Sequence, residues 1–344
     1  MVANRKADPF ETRSGRPVRL IRMCETMNRK ANLTGVLDAN AFATLFATTP
    51  DEIMQLCGSL LRQYDFRYKV IDDTDVHSTM LSVLKTIDEG RLAVSGRHRE
   101  NDWESGWQQN LEDFTSSGYE VSALSPKYIS KYDIVRLFGH YVRPTDKLFE
   151  LNFYTVYRHY IFSKYLGPYS NVFEFGSGSG YNLALLNRLF PGKKAVVGLD
   201  WSESSVRIAD ALGERLHAPI SGRRFDYFKP DWQLSIPDNS AIMTFNSLEQ
   251  VGDDFGAFLD FLLWKKPAIC INSEPIFEMY DDRCLFDYLA IRYHKARNYL
   301  RGYYAALTDL ATQGKIGIIC SQRVQAGNLF HEAYSLVVWR VVAG

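Results

Sequence analysis

Apolar residues recur at helical spacing over the first third of the chain, as in Ile53, Leu56, Leu60 and Leu61 and again in Met80, Leu81, Val83, Leu84 and Ile87. This periodicity predicts amphipathic helices. Thr49 or Asp51 is placed to cap the first and Gly90 to end the second. Residues 149–162 read as a helix carrying aromatic side chains on most of its faces, which makes it a core element. The pattern then changes. Short apolar runs at 172–175, 195–200, ending at 225–228, 240–245 and 267–272 alternate with helical stretches, as expected of parallel strands covered on both faces. A long helical run extends from Asp282 to about Thr312. Two last strands, 315–320 and 335–340, are joined by a short link without a crossover helix, so they must pair antiparallel. The expected architecture is α/β, with a mainly helical part over residues 1–150 and a Rossmann-like sheet over 151–344.

Composition narrows the possibilities. Forty acidic and forty basic residues in 344 leave no global basic field for nucleic acid or an anionic membrane. No apolar run approaches the roughly 18 residues that span a bilayer, and the start lacks a signal-peptide core, so a cytoplasmic protein is expected. The first 20 residues are polar and carry Arg5, Lys6, Arg13, Arg16 and Arg19. They read as a frayed or partner-dependent arm, and the arm and the long helix are candidates for homodimer contacts. Cys24, Cys57, Cys270, Cys284 and Cys320 are odd in number and widely spaced, which opposes a disulfide frame or a zinc ribbon.

The candidate chemistry begins where the 172–175 strand runs into Glu174-Phe175-Gly176-Ser177-Gly178-Ser179-Gly180 and then a helix. Glycines keep such a turn tight and let a ligand approach the backbone, and the helix start offers free N–H groups. A dinucleotide fingerprint needs its third glycine where Tyr181 stands, and Glu174 would repel a pyrophosphate. No Gly-Lys-Ser/Thr follows, which excludes a Walker loop. S-adenosylmethionine (SAM), with a cationic sulfonium and ammonium and no phosphate, suits the acidic lead residue better. A glycine turn without any ligand is the alternative, and downstream residues must decide.

Asp200 ends the next strand about twenty residues on, where an acid can accept both ribose hydroxyls. Trp201 is placed to cover an adenine, Ser202 caps the following helix, and Asp226 with Tyr227 stands at the third strand end to meet the adenine amino group. Asn246, Glu249 and Glu274 lie beyond the fourth and fifth strands, where open parallel sheets bind ligands. Tyr157 or Arg158 is within reach of a cofactor carboxylate, and His159 reads as interfacial packing. In the first half, Arg97, His98 and Arg99 precede Trp103 and Trp107, a combination able to form a flat aromatic and hydrogen-bonding wall for an acceptor. Packing of the tryptophans at a domain junction is the competing explanation. Tyr128, with Pro126, Lys127 and Arg136, falls in a stretch read as a hinge or lid. The long helical run adds Arg292, His294, Arg297 and Arg301, and His331 lies between the closing strands. Asp253-Asp254 and Asp281-Asp282 read as helix starts, so no metal is expected.

Together, Glu174/Gly176/Gly178/Gly180, Asp200, Asp226 and the closing hairpin resemble the class I SAM-dependent methyltransferases over about residues 172–342. Across both halves, Arg97-His98-Arg99, the Trp103 to Trp107 segment, Gly198-Leu199-Asp200-Trp201-Ser202, Leu248-Glu249-Gln250-Val251 and Arg297-Asn298-Tyr299-Leu300 resemble a bacterial group described as sugar O-methyltransferases. The resemblance implies a seven-stranded sheet of order 3-2-1-4-5-7-6 and SAM as cofactor, with S-adenosylhomocysteine (SAH) as product. It also implies methyl transfer to a hydroxyl of a small molecule such as a sugar or glycosylated natural product. Related methyltransferases often carry histidine after the fourth-strand Leu-Glu, whereas this chain has Gln250. The proton acceptor is therefore sought among Glu249, Glu274 and His294, for which cofactor binding, acceptor binding and helix capping are the competing roles. N-methylation of an amine or amino-acid-derived metabolite and a SAM-binding partner protein without turnover remain the alternatives. Nucleic acid and membrane are not expected partners.

Overall fold

The computed structural model describes residues 34–342, so the basic arm and Cys24 lie outside the described residues. Helices α1 (Ala39–Phe46), α2 (Pro50–Gln63), α3 (Asp73–Asp88) and α4 (Glu100–Ser116) build most of the first part. Thr49 caps α2 by accepting from the Glu52 amide at 3.2 Å, and α3 is followed by Gly90 in the left-handed region.

A small sheet accompanies these helices. Strands β1 (Thr34–Val36), β2 (Arg67–Val70), β3 (Val135–Leu137) and β4 (His140–Pro144) pair antiparallel in the order β1-β2-β4-β3. The mainly helical expectation is corrected on this point. Strands of three to five residues, one of them reading Arg-Tyr-Lys-Val, carry too little alternation to be recognised without their partners.

Helix α5 (Phe149–Tyr165) buries 13 of its 17 residues. It is apolar almost all round because both halves of the molecule pack on it. Phe46 stacks on Tyr160 at 5.0 Å and Phe42 on Phe153 at 5.7 Å, while Phe162 meets Phe245 edge-on at 5.7 Å. One apolar core is therefore continuous from α1 through α5 to the large sheet.

That sheet begins with β5 (Asn171–Phe175) and β6 (Ala195–Asp200), separated by α6 (Tyr181–Leu189). It continues with α7 (Glu203–Leu216), β7 (Ile220–Arg224), β8 (Ser240–Phe245), α8 (Gly256–Lys265) and β9 (Ile269–Glu274). Helices α9 (Leu285–Arg297) and α10 (Tyr303–Thr312) precede β10 (Ile316–Gln322), the short β11 (Ala326–Gly327) and β12 (Ser335–Val341). The order is β7-β6-β5-β8-β9-β12-β10, with β12 antiparallel to both neighbours. Counted within the sheet this is 3-2-1-4-5-7-6, the expected plan.

Two boundaries differ from expectation. The third strand stops at Arg224, and residues 225–228 form a turn because the Asp226 carboxylate accepts from the Phe228 amide at 2.8 Å. The long helical run is two helices, since Asn298 adopts φ 50° and its amide side chain donates to the Ser95 carbonyl at 3.1 Å. Among the described residues, no helix is long and apolar enough to cross a membrane.

The link between β10 and β12 crosses to the small sheet, where β11 pairs with β3. It is held by buried charges. Arg323 donates to both Asp287 oxygens at 2.7 Å and to Glu332 at 2.6 Å, and the fully buried Arg136 lies 3.5 Å from Asp287 and 3.8 Å from Glu332. Removing one member leaves uncompensated buried charge. Asp287→Ala is expected to lower stability by about 3–5 kcal/mol, read from urea unfolding; a loss within experimental scatter would mean that this network does not hold the link.

Candidate active site

The glycine loop sits at the carboxyl end of β5, the central strand. Gly176 has φ 73°, and a Cβ there would stand 2.2 Å from the Ser247 Cβ; at Gly178 it would stand 2.8 Å from the Trp107 ring. The loop is thus clamped between the turn after β8 and α4, which explains why two side-chain-free positions are required. Gly180 is the N-cap of α6, and no side chain among the described residues caps that helix.

Beside the loop lies a cavity of about 340 Å³. Glu174, 1% exposed, accepts from the Asn182 amide through Oε1, while Oε2 has no partner. Burial pushes its carboxyl up to about 8, against the pull of Asn182 and Arg158. Asn182 in turn accepts from Arg158 Nε. The Arg158 guanidinium is buried over the Tyr154 ring at 3.1 Å, and among the described residues no carboxylate lies within 4 Å of it. A carboxylate and a guanidinium, bridged by one amide, therefore share the wall with unused hydrogen-bonding capacity.

Asp200 accepts from the Gly178 amide at 2.9 Å and the Ser202 amide at 3.0 Å, and burial pushes its carboxyl up to about 6. Trp201, Tyr227 and Phe228 line the same arm of the cavity. Tyr227 shares a hydrogen bond with Ser247 Oγ at 2.9 Å. Asn246 also lines it, but its side chain is taken: it accepts from the Tyr154 hydroxyl and donates to the Ala333 carbonyl at 2.7 Å.

Five expected site residues lie off the wall: His294, described below, Gly180, which packs toward Ile208 and Leu212 of α7, and Ser202, Asp226 and Glu274. Ser202 is buried and donates to Glu104 of α4 at 2.7 Å, since the Glu104 carboxylate also receives the Ser204 amide and so caps α7 from outside. Asp226 is absent from the lining and serves its own turn. Glu274, fully buried, accepts from the amides of Ser247, Leu248 and Glu249 at 3.4, 3.2 and 3.1 Å, which makes it a cap of that turn.

The far arm of the cavity is lined by Glu249, Gln250, Tyr293, Arg297, Tyr299, Asn328 and His331. Glu249 accepts from the Gln250 amide at 2.8 Å, and among the described residues its Oε2 has no hydrogen-bond partner. Burial pushes its carboxyl up to about 7, with Arg297 opposing. His294 is fully buried behind this wall, and His331 occupies the place at the cavity. Arg99, Trp103, Trp107 and Tyr128 line the cavity, and the two tryptophans stack at 5.5 Å. His98 and Arg97 are exposed, and Arg97 lies over Phe228 at 4.3 Å. Arg136 belongs to the buried ion-pair network, Arg292 pairs with Asp88 and Arg301 with Asp253. His159 meets Cys57 at 3.8 Å between α5 and α2. Among the described residues, no cluster of three or more His, Cys, Asp or Glu could hold a metal ion.

No family profile and no curated protein matches this chain. Similar solved structures are methyltransferases. An O-methyltransferase from neocarzinostatin biosynthesis, solved with SAM and 2-hydroxy-5-methyl naphthoic acid, is 17% identical over 58% of this chain and 59% of that one, with a TM-score of 0.36. An N,N-8-amino-8-demethyl-D-riboflavin dimethyltransferase from Streptomyces davawensis is 12% identical over 56% of each chain, with a TM-score of 0.39. A 16S rRNA methylase is 15% identical over 69% of this chain and 98% of its own, with a TM-score of 0.41. The chain thus spans under two thirds of the first two proteins.

Sequence reasoning passed over Tyr154, Asn182, Arg297 and Tyr299 as site residues, and ranked His331 below His294. No local signal distinguishes them; each reaches the cavity from an element whose position depends on tertiary packing. Glu150 is a further case, buried at the wall, accepting from the Ser130 amide at 2.8 Å and pushed up to about 7 by burial.

Glu174, Glu274, Glu249 and Glu150 hold protons in the folded state that the unfolded chain releases near pH 4.5. The folded state therefore binds more protons than the unfolded one, and stability falls as pH rises through that interval. Below about pH 6.5 the depressed histidines 140, 159, 294 and 331 act in the opposite direction. The thermal midpoint of the ligand-free protein is accordingly expected to fall between about pH 6.5 and 8, with a shallower slope in Glu174→Gln. A midpoint rising over this interval would contradict the assignment.

Proposed function

We propose that this protein is a SAM-dependent methyltransferase that methylates a hydroxyl of a small molecule, a sugar or glycosylated natural product, as a cytoplasmic enzyme without a nucleic-acid substrate. The observation that carries the reading is the pairing of Glu174 and Arg158 across Asn182 beside the glycine loop. A buried carboxyl group that ionises when it meets a cation, and a guanidinium, each with unused capacity, match the ammonium and carboxylate of one amino-acid moiety. The unpartnered Glu174 Oε2 would receive the ammonium and Arg158 the carboxylate. Asp200 would hold the ribose hydroxyls, and Trp201, Tyr227 and Phe228 the adenine face. A pyrophosphate would bring no cation for the buried Glu174 carboxyl at this loop to ionise against, which disfavours a dinucleotide.

When bound, SAM supplies a methyl group on cationic sulfur that departs from a neutral thioether, so a hydroxyl acceptor must release one proton. Glu249 is the group suited to take it, because one oxygen is free and its proton affinity lies near neutrality. Arg297 favours the ionised form from which it acts. The far arm, rich in phenols and hydrogen-bonding groups, suits a polyhydroxylated acceptor. In this reading the residues before α5 supply the roof over both arms.

Isothermal titration calorimetry with SAM tests the cofactor assignment. Wild-type binding is expected, with Glu174→Gln, Arg158→Gln and Asp200→Ala each weakening it by about 10- to 150-fold, the range of a lost charged hydrogen bond. Absence of wild-type binding, or unchanged affinity in Glu174→Gln, would defeat the reading. Labelled SAM offered with a panel of nucleotide sugars and glycosylated metabolites identifies the acceptor class.

A further inference from the structure

We propose that His331 is a hydrogen-bond donor to the acceptor's oxygen, its Nε2–H presented to the cavity because the buried His294 fixes its tautomer. The part of this that concerns the acceptor rests on the function proposed above; the tautomer itself stands on the geometry alone.

His331 comes from the link between β10 and β12, and the link is rigid at this point. The Asn328 side chain accepts from the amides of Phe330 and His331 at 2.8 and 3.2 Å. The next residue, Glu332, is gripped twice by Tyr280, whose hydroxyl accepts from its amide at 2.9 Å and donates to its carbonyl at 3.0 Å. The His331 ring lies between Tyr293 and Tyr299, with centroids at 5.1 and 5.8 Å, and its Nδ1 meets His294 Nε2 at 2.9 Å. With Nδ1 engaged, Nε2 is the ring atom left for a ligand at this wall.

One proton lies between the two rings, and its owner decides what His331 can do. If His331 Nδ1 carried it, His294 would have to keep its own proton on Nδ1, which is buried without a partner among the rings of Phe277, Tyr280, Tyr293 and Tyr299. A buried N–H without an acceptor is among the rarest unsatisfied groups in proteins. If His294 Nε2 carries it, the unpartnered atom is a lone pair. Burial and the Arg136 guanidinium lower the affinity of His294 for a second proton, so its ring carries one proton only. Burial, the neighbouring ring and the cations Arg297 and Arg136 hold His331 well below the usual imidazole range, so neither ring is an imidazolium near neutrality. His331 Nδ1 then accepts, and Nε2 bears the proton.

A donor at this position discriminates between acceptors. A hydroxyl oxygen has two lone pairs and a proton: one pair can accept from His331, the proton can face Glu249, and the second pair remains for the incoming methyl group. A neutral amine has one lone pair, and spending it on His331 leaves none to react. An ammonium has none and would face the imidazole N–H with like polarity. The arrangement thus favours oxygen over nitrogen. His294 is a positioning residue that touches neither cofactor nor acceptor.

The test is two-bond ¹⁵N–¹H correlation NMR on the full-length protein labelled with ¹⁵N-histidine, in complex with SAH at pH 7. The expected spectrum has His331 with a protonated, pyrrole-type Nε2 and a bare, pyridine-type Nδ1, and both rings neutral. A pyridine-type Nε2 on His331, or an imidazolium signature on either ring, would overturn the proposal. His294→Phe is expected to release His331 into averaged tautomers; an unchanged His331 pattern would show that His294 does not set it. Should that variant fail to fold, the wild-type spectrum still decides. Calorimetry with SAH, run in parallel, reports on the cofactor reading separately, because loss of SAH binding would leave the His331 pattern readable in the free protein.

Discussion

The burial of α5 on all sides is the constraint from which the site follows. A helix with an aromatic residue at nearly every turn cannot face water anywhere, so the small sheet and α1 must cover one side and the large sheet the other. Each fully buried ring contributes about 1.5–3 kcal/mol, which makes this packing stronger than any single polar contact in the molecule. Once α5 is seated, Tyr154 and Arg158, one turn apart, must emerge on the face turned toward the glycine loop. The side of the cavity beside the glycine loop is thus assembled by hydrophobic packing, and its charges are carried into place at a cost that the packing offsets.

Those charges explain the electrostatic character of the cavity. Glu174, Asp200 and Glu249 are all buried deeply enough for desolvation to dominate, and each is pushed toward the protonated form. Among the described residues no carboxylate is in contact with Arg158 to compensate it, which folded proteins rarely tolerate for a buried guanidinium. A ligand carrying an ammonium, a carboxylate and ribose hydroxyls would satisfy this set, whereas an apolar ligand would leave it as it is. Unspent polar capacity is therefore the feature most informative about function here.

The link after β10 performs the corresponding task for the other arm. Because β11 pairs with β3 and the Arg136, Asp287, Arg323 and Glu332 charges neutralise one another inside, the link is tied to both halves of the chain. His331 and Ala333 are brought to the wall by this tie. From the opposite side, α4 is anchored by Glu104 on the start of α7, which brings Trp107 onto the glycine loop. Two segments distant in sequence thus close one cavity, and neither position depends on residues that touch a ligand.

The parallel strands and the antiparallel finish were legible along the chain, because strand and helix periods and the length of a connection are local properties; the strand order was implied only by the resemblance to class I methyltransferases. Glu174, Gly176, Gly178, Asp200 and Glu249, which line the cavity, were legible for the same reason: they sit at fixed offsets from strand ends. The tryptophan roof was recognisable as a pair but not as a roof. Glu274 and Ser202 have the residue types of a site, yet backbone amides and Glu104 had already claimed them, a competition visible only in three dimensions. His294 and His331 exchanged rank because burial depth, unlike residue type, is set by what packs behind a side chain. The small sheet escaped notice since three-residue strands acquire their conformation from partners up to two hundred residues away. Sequence alone determined which chemistry the strand ends carry; tertiary packing decided which of those groups remain free to use it.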